Sequence, residues 1–218
     1  LLKQGVKGAG KAVLRSKSRI QVGFAEQATL LSVGDINIKG GCMHSTVKCN
    51  GTLRMQSDKG SIVGGRVRVR KGIEAQSIGS ARGVATEISF GQDYLIADRI
   101  EKEEKEIEKL KLKITKDDMA MREEAEDRER LEELRKEKKK LLKMIEQRSV
   151  RLFTLREKFE EHFPSALTVH GTIHPGVRIE SHGRTMEFTA PEKGVVISFD
   201  EETGRLTRSS LSSGDGGS

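Results

Sequence analysis

Four groups of residues in this 218-residue chain have types and spacings from which chemistry is built. The sharpest is basic. In Arg66-Val67-Arg68-Val69-Arg70-Lys71 cations alternate with valines. On a half-buried strand Val67 and Val69 turn inward, which puts Arg66, Arg68 and Arg70 on one outer face. Guanidinium forks fit phosphate and carboxylate oxygens, so Arg66, Arg68, Arg70 and Lys71 form a candidate polyanion-binding stripe. Lys48, Lys59 and Arg82 are outlying cations. A nucleic-acid backbone held there would bind in a salt-sensitive, sequence-blind way. Bases would find little to stack on, because Phe24 and Phe90 are the only aromatics in residues 1–91. The same stripe also works as a solvated face that keeps a sheet from aggregating.

The other three groups fall short of a site. Gly5-Val6-Lys7-Gly8-Ala9-Gly10-Lys11-Ala12 nearly matches a phosphate-binding loop, but its last position must offer a hydroxyl to Mg²⁺ and holds Ala12. No room precedes Gly5 for the strand that leads into such a loop. Cys42, His44 and Cys49 lack both a paired C-x-x-C and a fourth metal ligand, and two small thiols packed in a core account for them. His170 and His174 share a strand parity, with Glu180 and His182 nearby, and the Pro175-Gly176 corner explains that composition without chemistry. No Ser/His/Asp order, H-E-x-x-H or G-x-S-x-G occurs. The expectation is a non-enzymatic protein with no catalytic residues, no cofactor and no metal.

What must position the basic stripe is visible in how unevenly residues are spread. Glycine and proline vanish between Gly91 and Pro164; glycine is frequent on both sides, and all three prolines lie from Pro164 onward. A helical block over 92–163 therefore separates two Gly-rich blocks. Basic residues outnumber acidic ones only in residues 1–91, so the basic character of the chain belongs to that block and an anionic partner is sought there. Hydrophobic residues make up 34% and charged residues 33%, against usual values near ~45–50% and ~25%. That excludes a compact apolar bundle. No apolar run reaches the ~18 residues of a membrane span. The chain opens on Leu1 with no apolar leader, which reads as a fragment or processed chain without an export signal. Two cysteines are too few for a disulfide scaffold, and a cytoplasmic location is expected.

In the helical block Ile100, Ile107, Ile114 and Met121 recur every seventh residue, with Leu110 between them. Leu131, Leu134, Leu141, Ile145, Leu152, Leu155, Phe159 and Phe163 continue at 3/4 spacing. A narrow apolar stripe amid dense Glu, Lys and Arg is a coiled-coil seam. The seam is assigned to Ile100, Ile107, Ile114, Leu134, Leu141, Ile145, Leu152 and Phe159. One unbroken helix would reach ~108 Å. An antiparallel hairpin is expected instead, because the flanking blocks look alike and would then rejoin. Its turn is placed in Asp117–Glu129, near Arg128.

The flanking blocks carry short alternating pairs separated by glycine: Ile20-x-Val22, Ile36-x-Ile38, Leu53-x-Met55, Val67-x-Val69 and Ile88-x-Phe90. Their spacing is loose, near 17 residues. Short strands at such intervals suggest stacked rungs, each burying a few side chains against the next. With 4% aromatics and no Trp, a thin core of Val, Ile, Leu and Cys fits better than a broad sandwich. Val169-x-Gly171-x-Ile173 and Val177-x-Ile179 resume the pattern, and Val195–Phe199 is a further strand.

The order Val33-Gly34-Asp35-Ile36-Asn37-Ile38, Gly64-Gly65-Arg66-Val67-Arg68-Val69, Ile78-Gly79-Ser80 and Thr86-Glu87-Ile88-Ser89-Phe90-Gly91, then a charged coiled coil, then Val169-His170-Gly171-Thr172-Ile173-His174-Pro175-Gly176-Val177, resembles the β-solenoid region of the flagellar assembly protein A family. The resemblance spans about residues 18–185 and carries no catalytic motif. It implies a right-handed β-helix with a protruding helical hairpin and a role in flagellation or its regulation. The expected architecture is thus mainly β with α, a right-handed β-solenoid interrupted by a long antiparallel coiled-coil hairpin. Basic rungs occupy 1–91, the hairpin 92–163, returning strands 164–208 and a flexible Ser/Gly tail 209–218. The expected function is a scaffold binding a protein partner through the hairpin or the solenoid face, with homo-oligomerisation as a further use of the hairpin. The alternative is a binder of nucleic-acid backbone or another polyanion through the basic face.

Overall fold

The computed structural model describes residues 4–123, 127–161 and 163–211. The chain divides into two compact units, Leu1–Tyr94 with His162–Ser218, and Leu95–Glu161.

The first unit is a parallel β-solenoid of about four turns. Its strands are β1 (Val6–Ser16), β2 (Ile20–Val22), β3 (Ala25–Ser32), β4 (Ile36–Ile38), β5 (Cys42–Cys49), β6 (Thr52–Met55), β7 (Ser61–Val69), β8 (Gly72–Ala75), β9 (Ser77–Ile78) and β10 (Thr86–Phe90). After the helices come β11 (Ala166–Ile173), β12 (Val177–Ser181), β13 (Arg184–Phe188), β14 (Glu192–Asp200) and β15 (Arg205–Ser210). Long strands alternate with short ones. The stack β2-β4-β6-β8-β11 forms one face, and β3-β5-β7-β10-β12 forms another. Alternation sends every second side chain inward, and parallel register lines these up from rung to rung. One column is Ile20, Ile36, Leu53, Ile73 and Leu167. Another is Leu30, Val47, Val67, Ile88 and Ile179. All ten are buried.

The true repeat differs from the one expected from the sequence. Ile20, Ile36 and Leu53 belong to one face, whereas Val67 and Ile88 belong to the other, so the spacing near 17 mixed two columns. The rung that continues the first column is Ile73-x-Ala75 in β8, where a small inward residue leaves a faint apolar signal.

In β3, β5 and β7 the chain kinks between two halves of the strand through a left-handed residue. Gln27, His44 and Gly64 take φ of 48°, 46° and 69°. The amide that follows or sits at the kink is met by a buried hydroxyl: Ala28 N donates to Ser45 Oγ (3.2 Å) and Gly64 N to Thr86 Oγ1 (2.9 Å). Polar side chains inside this thin core thereby satisfy backbone groups that the kink takes out of the ladder.

At the later end of the stack the parallel run gives way to antiparallel pairs, β12 with β13, β11 with β14 and β14 with β15. Ser209 and Ser210 pair with Val196 and Val195 in that last ladder, so the expected tail does not start at Ser209. Its residues 212–218 lie outside the described residues.

The second unit is built from helices α1 (Tyr94–Glu123) and α2 (Arg128–Glu160). Asp127 caps α2, its carboxylate accepting from Arg130 N at 3.0 Å. The segment assigned to the turn includes residues 124–126, which lie outside the described residues. Ile107, Leu134 and Leu141 are buried, and Ile100, Ile114, Ile145, Leu152 and Phe159 are half-buried. Ion pairs run from one helix to the other, among them Glu103–Arg148 at 2.6 Å, Glu104–Arg156 at 2.7 Å, Asp118–Lys138 at 2.6 Å, and Lys113 with Glu137. Phe163, assigned to the apolar stripe from its spacing, lies beyond the end of α2 and belongs to the solenoid unit. Pro164 follows it and biases it away from helical backbone.

Candidate functional site

The basic stripe is split by the fold. Arg66 and Arg68 leave β7 on its outer face, with Val67 and Val69 buried between and beyond them. Arg66 Nε lies 2.6 Å from Glu87 Oε2 one rung on. That hydrogen bond, with the charges of Arg66, Arg178 and Arg68, holds the Glu87 carboxyl below its ordinary range. Both partners are about half exposed, so the pair is worth only ~0.2–1 kcal/mol. Arg178 in turn faces Glu187 at 3.8 Å. Up the outer face the column therefore reads Arg66, Glu87, Arg178, Glu187, alternating in sign. The column beside it reads Lys48, Arg68, Ser89, Glu180.

Arg70 is at a corner rather than on that face. Val33, Asn50, Arg70 and Gly91 each donate a backbone N–H to the rung before, at 2.9–3.1 Å. They mark the same turn in four successive rungs, and at the fourth the helices replace the turn. Arg70 Nη1 reaches Asp93 Oδ2 at 3.3 Å, and its guanidinium sits over the Phe163 ring at 5.2 Å. Asn50 Nδ2 donates to the other Asp93 oxygen at 2.8 Å. Tyr94 is buried and its hydroxyl donates to Ser32 O at 2.8 Å. The chain leaving β10 and the chain returning to β11 are thus tied to corners of the earlier rungs. Lys71 is exposed in the turn before β8. The stripe of four cations becomes two on a face, one structural arginine and one corner lysine.

Sequence reading missed Asn50, Asp93 and Tyr94. A signal was present: the chain's single Tyr stands where the Gly-free block begins, and a lone large amphipathic ring at a boundary is a natural anchor.

The remaining groups do not converge. Gly5–Ala12 lies mostly within β1, with Ala9 and Gly10 at φ of 44° and 80° forming a bulge. Cys42 and Cys49 are free thiols at the two ends of β5, and His44 sits exposed at the left-handed kink. His170 pairs with Glu74 at 3.2 Å, while the His182 ring lies 4.6 Å from that of Phe199. Among the described residues no three His, Cys, Asp or Glu side chains gather closely enough to hold a metal ion.

Burial pushes the Cys42 and Cys49 thiols up to about 12. In the unfolded chain they titrate near ~8.5. Between those values the folded state holds more protons, so stability is fully present below pH ~8.5 and falls as pH rises toward 12. Unfolding midpoints should drop above pH 9, and the Cys42→Ala/Cys49→Ala variant should show a flatter alkaline limb. At pH 8 neither thiol of the folded protein should react with a disulfide reagent, and both should react in denaturant.

The family described as Flagellar Assembly Protein A beta solenoid domain matches residues 1–204. None of the curated proteins and none of the solved structures matches the chain significantly.

Proposed function

Since the chain belongs to the flagellar assembly protein A family, we propose that it is a non-enzymatic scaffold in flagellar assembly or its regulation, acting through protein contacts. In this reading the right-handed solenoid is a rigid platform, and the two helices form an antiparallel coiled-coil hairpin that docks a protein partner or a second copy. The family supplies the flagellar context. The observation that carries the docking role is the outer surface of the helical unit, where Leu112, Met119, Leu142, Val150 and Phe153 are 50–65% exposed. Antiparallel pairing is supported by the cross-helix ion pairs: Glu103, in the first half of α1, pairs with Arg148 in the second half of α2, while Asp118, near the end of α1, pairs with Lys138 in the first half of α2. No described helix is long and apolar enough to cross a membrane. A cytoplasmic site of action agrees with the two free thiols.

Antiparallel pairing is tested by Glu103→Cys/Arg148→Cys. A short bismaleimide should link these two sites within one chain and leave the buried native thiols untouched. Absence of the intramolecular product sinks the hairpin. The docking role is tested in the cell by Leu142→Ser/Val150→Ser/Phe153→Ser. These residues lie outside the half-buried stripe, so helicity should persist while flagella become fewer or misplaced by electron microscopy. Normal flagellation with the variant present at wild-type level overturns the reading.

The polyanion alternative finds no support in this arrangement. Arg66 and Arg70 are engaged by Glu87 and Asp93, and Glu180 and Glu187 lie on the same face.

A further inference from the structure

On the outer solenoid face the two neighbouring columns each hold an arginine in β7 and differ at the next two rungs. In the first, Glu87 stands between Arg66 and Arg178 and neutralises that stretch of the ladder. In the second, the residue between Arg68 and Glu180 is Ser89. A hydroxymethyl group replaces a carboxylate, and its Oγ leans toward Glu180 Oε2 at 3.4 Å. Arg68 makes no ion pair among the described residues. The missing bulk leaves a shallow cavity of about 270 Å³, lined by Arg66, Arg68, Glu87, Ser89, Arg178 and Glu180.

We propose that this notch receives one carboxylate from an acidic side chain of a protein partner, with the Arg68 guanidinium as its main donor and the Ser89 hydroxyl as the second. The inference rests on the protein-contact reading above and names the chemistry of one contact. A guanidinium takes a carboxylate through two parallel N–H donors. Rotation of Ser89 away from Glu180 frees its hydroxyl for the same oxygen pair. Glu87 and Glu180 flank the notch and set its selectivity. Their charges repel a phosphate dianion more than a carboxylate monoanion, and they leave no run of free cations for a nucleic-acid backbone to follow. Cations beside the partner's acid would meet Glu180 and Glu87, so a partner segment of mixed charge fits better than a uniformly acidic one.

The test is fluorescence anisotropy of a labelled peptide of alternating Glu and Lys, titrated with the full chain at low salt, with the Gln/Lys peptide as control. Arg68→Gln should weaken the Glu/Lys peptide about tenfold or more. Ser89→Asp, which sets a competing carboxylate beside Arg68, should weaken it similarly. Lys71→Gln, at the exposed corner, should leave affinity within about twofold. No binding of the Glu/Lys peptide, equal binding of the Gln/Lys control, equal loss in Lys71→Gln and Arg68→Gln, or competition by inorganic phosphate at lower concentration than by acetate would each overturn the notch. A chain that fails here but still loses flagella with the helical-surface variant keeps its scaffold role. A chain that passes here but supports normal flagellation with that variant loses the scaffold and keeps the contact.

Discussion

Phe90→Ala is expected to lower the unfolding free energy by about 3–5 kcal/mol. Phe90 closes β10 and is 1% exposed. Its column runs through Ser32, Cys49, Val69 and Ser181, so one large ring fills space among small neighbours. Those neighbours cannot collapse onto the void. Ser32 is held by its own hydrogen bond to Ser18 O at 2.9 Å, and Ser181 donates to Phe90 O at 2.8 Å. The cavity therefore stays, and the cavity contribution adds in full to the lost burial. Phe90 also precedes the corner where the helices leave, so the loss falls at the tie made by Asp93 and Tyr94. Intrinsic fluorescence reports this directly, because Tyr94 is the sole Tyr and the chain has no Trp. A urea titration should show the tyrosine transition moving to markedly lower denaturant. A shift worth less than about 1 kcal/mol would mean that neighbouring rungs relax into the space.

Much of the architecture was legible because each of its parts has its own period. Glycine and proline distribution marks the helical block, and Ile100, Ile107 and Ile114 mark its buried or half-buried stripe. Inward pairs such as Ile36-x-Ile38 mark rungs. What stayed hidden depends on register. That Val67 stacks on Val47 and not on Leu53 follows from which face each strand joins, and nothing local to Val67 records this. The same blindness shaped the reading of the basic stripe. Alternation in β7 places Arg66 and Arg68 outward, as the sequence implies. The neutralisation of Arg66 by Glu87, 21 positions away, is a property of stacking. Arg70 breaks the strand pattern because the strand has ended, and its partner Asp93 is 23 residues on. Long-range ladders bring these groups together, and a single sequence displays only the residues that line up along it.

Gly65→Ala is the second large effect, and it isolates the rung-to-rung contact from backbone strain. Gly65 has φ of 83° and starts the half of β7 that carries Arg66 and Arg68. A Cβ there would lie 2.3 Å from Ser45 O and 2.7 Å from Ser45 N. These are backbone atoms of the preceding rung, and they cannot swing aside. Ser45 is itself fixed, since its Oγ accepts from Ala28 N and donates to Met43 O at 2.8 Å. Relief requires β5 and β7 to part, which breaks parallel ladder bonds on both sides of the kink. Gly83 provides the comparison: its φ is 68°, but nothing lies within 4 Å of an added Cβ. Gly83→Ala should therefore lose only the left-handed penalty of about 1–2 kcal/mol. Gly65→Ala should lose that and the separation of two rungs, roughly 3 kcal/mol or more in all. Thermal unfolding of the two variants side by side decides it. Equal melting temperatures would show that the stack gives way at this corner without loss, and the solenoid could not then be the rigid platform on which the Arg68 notch depends.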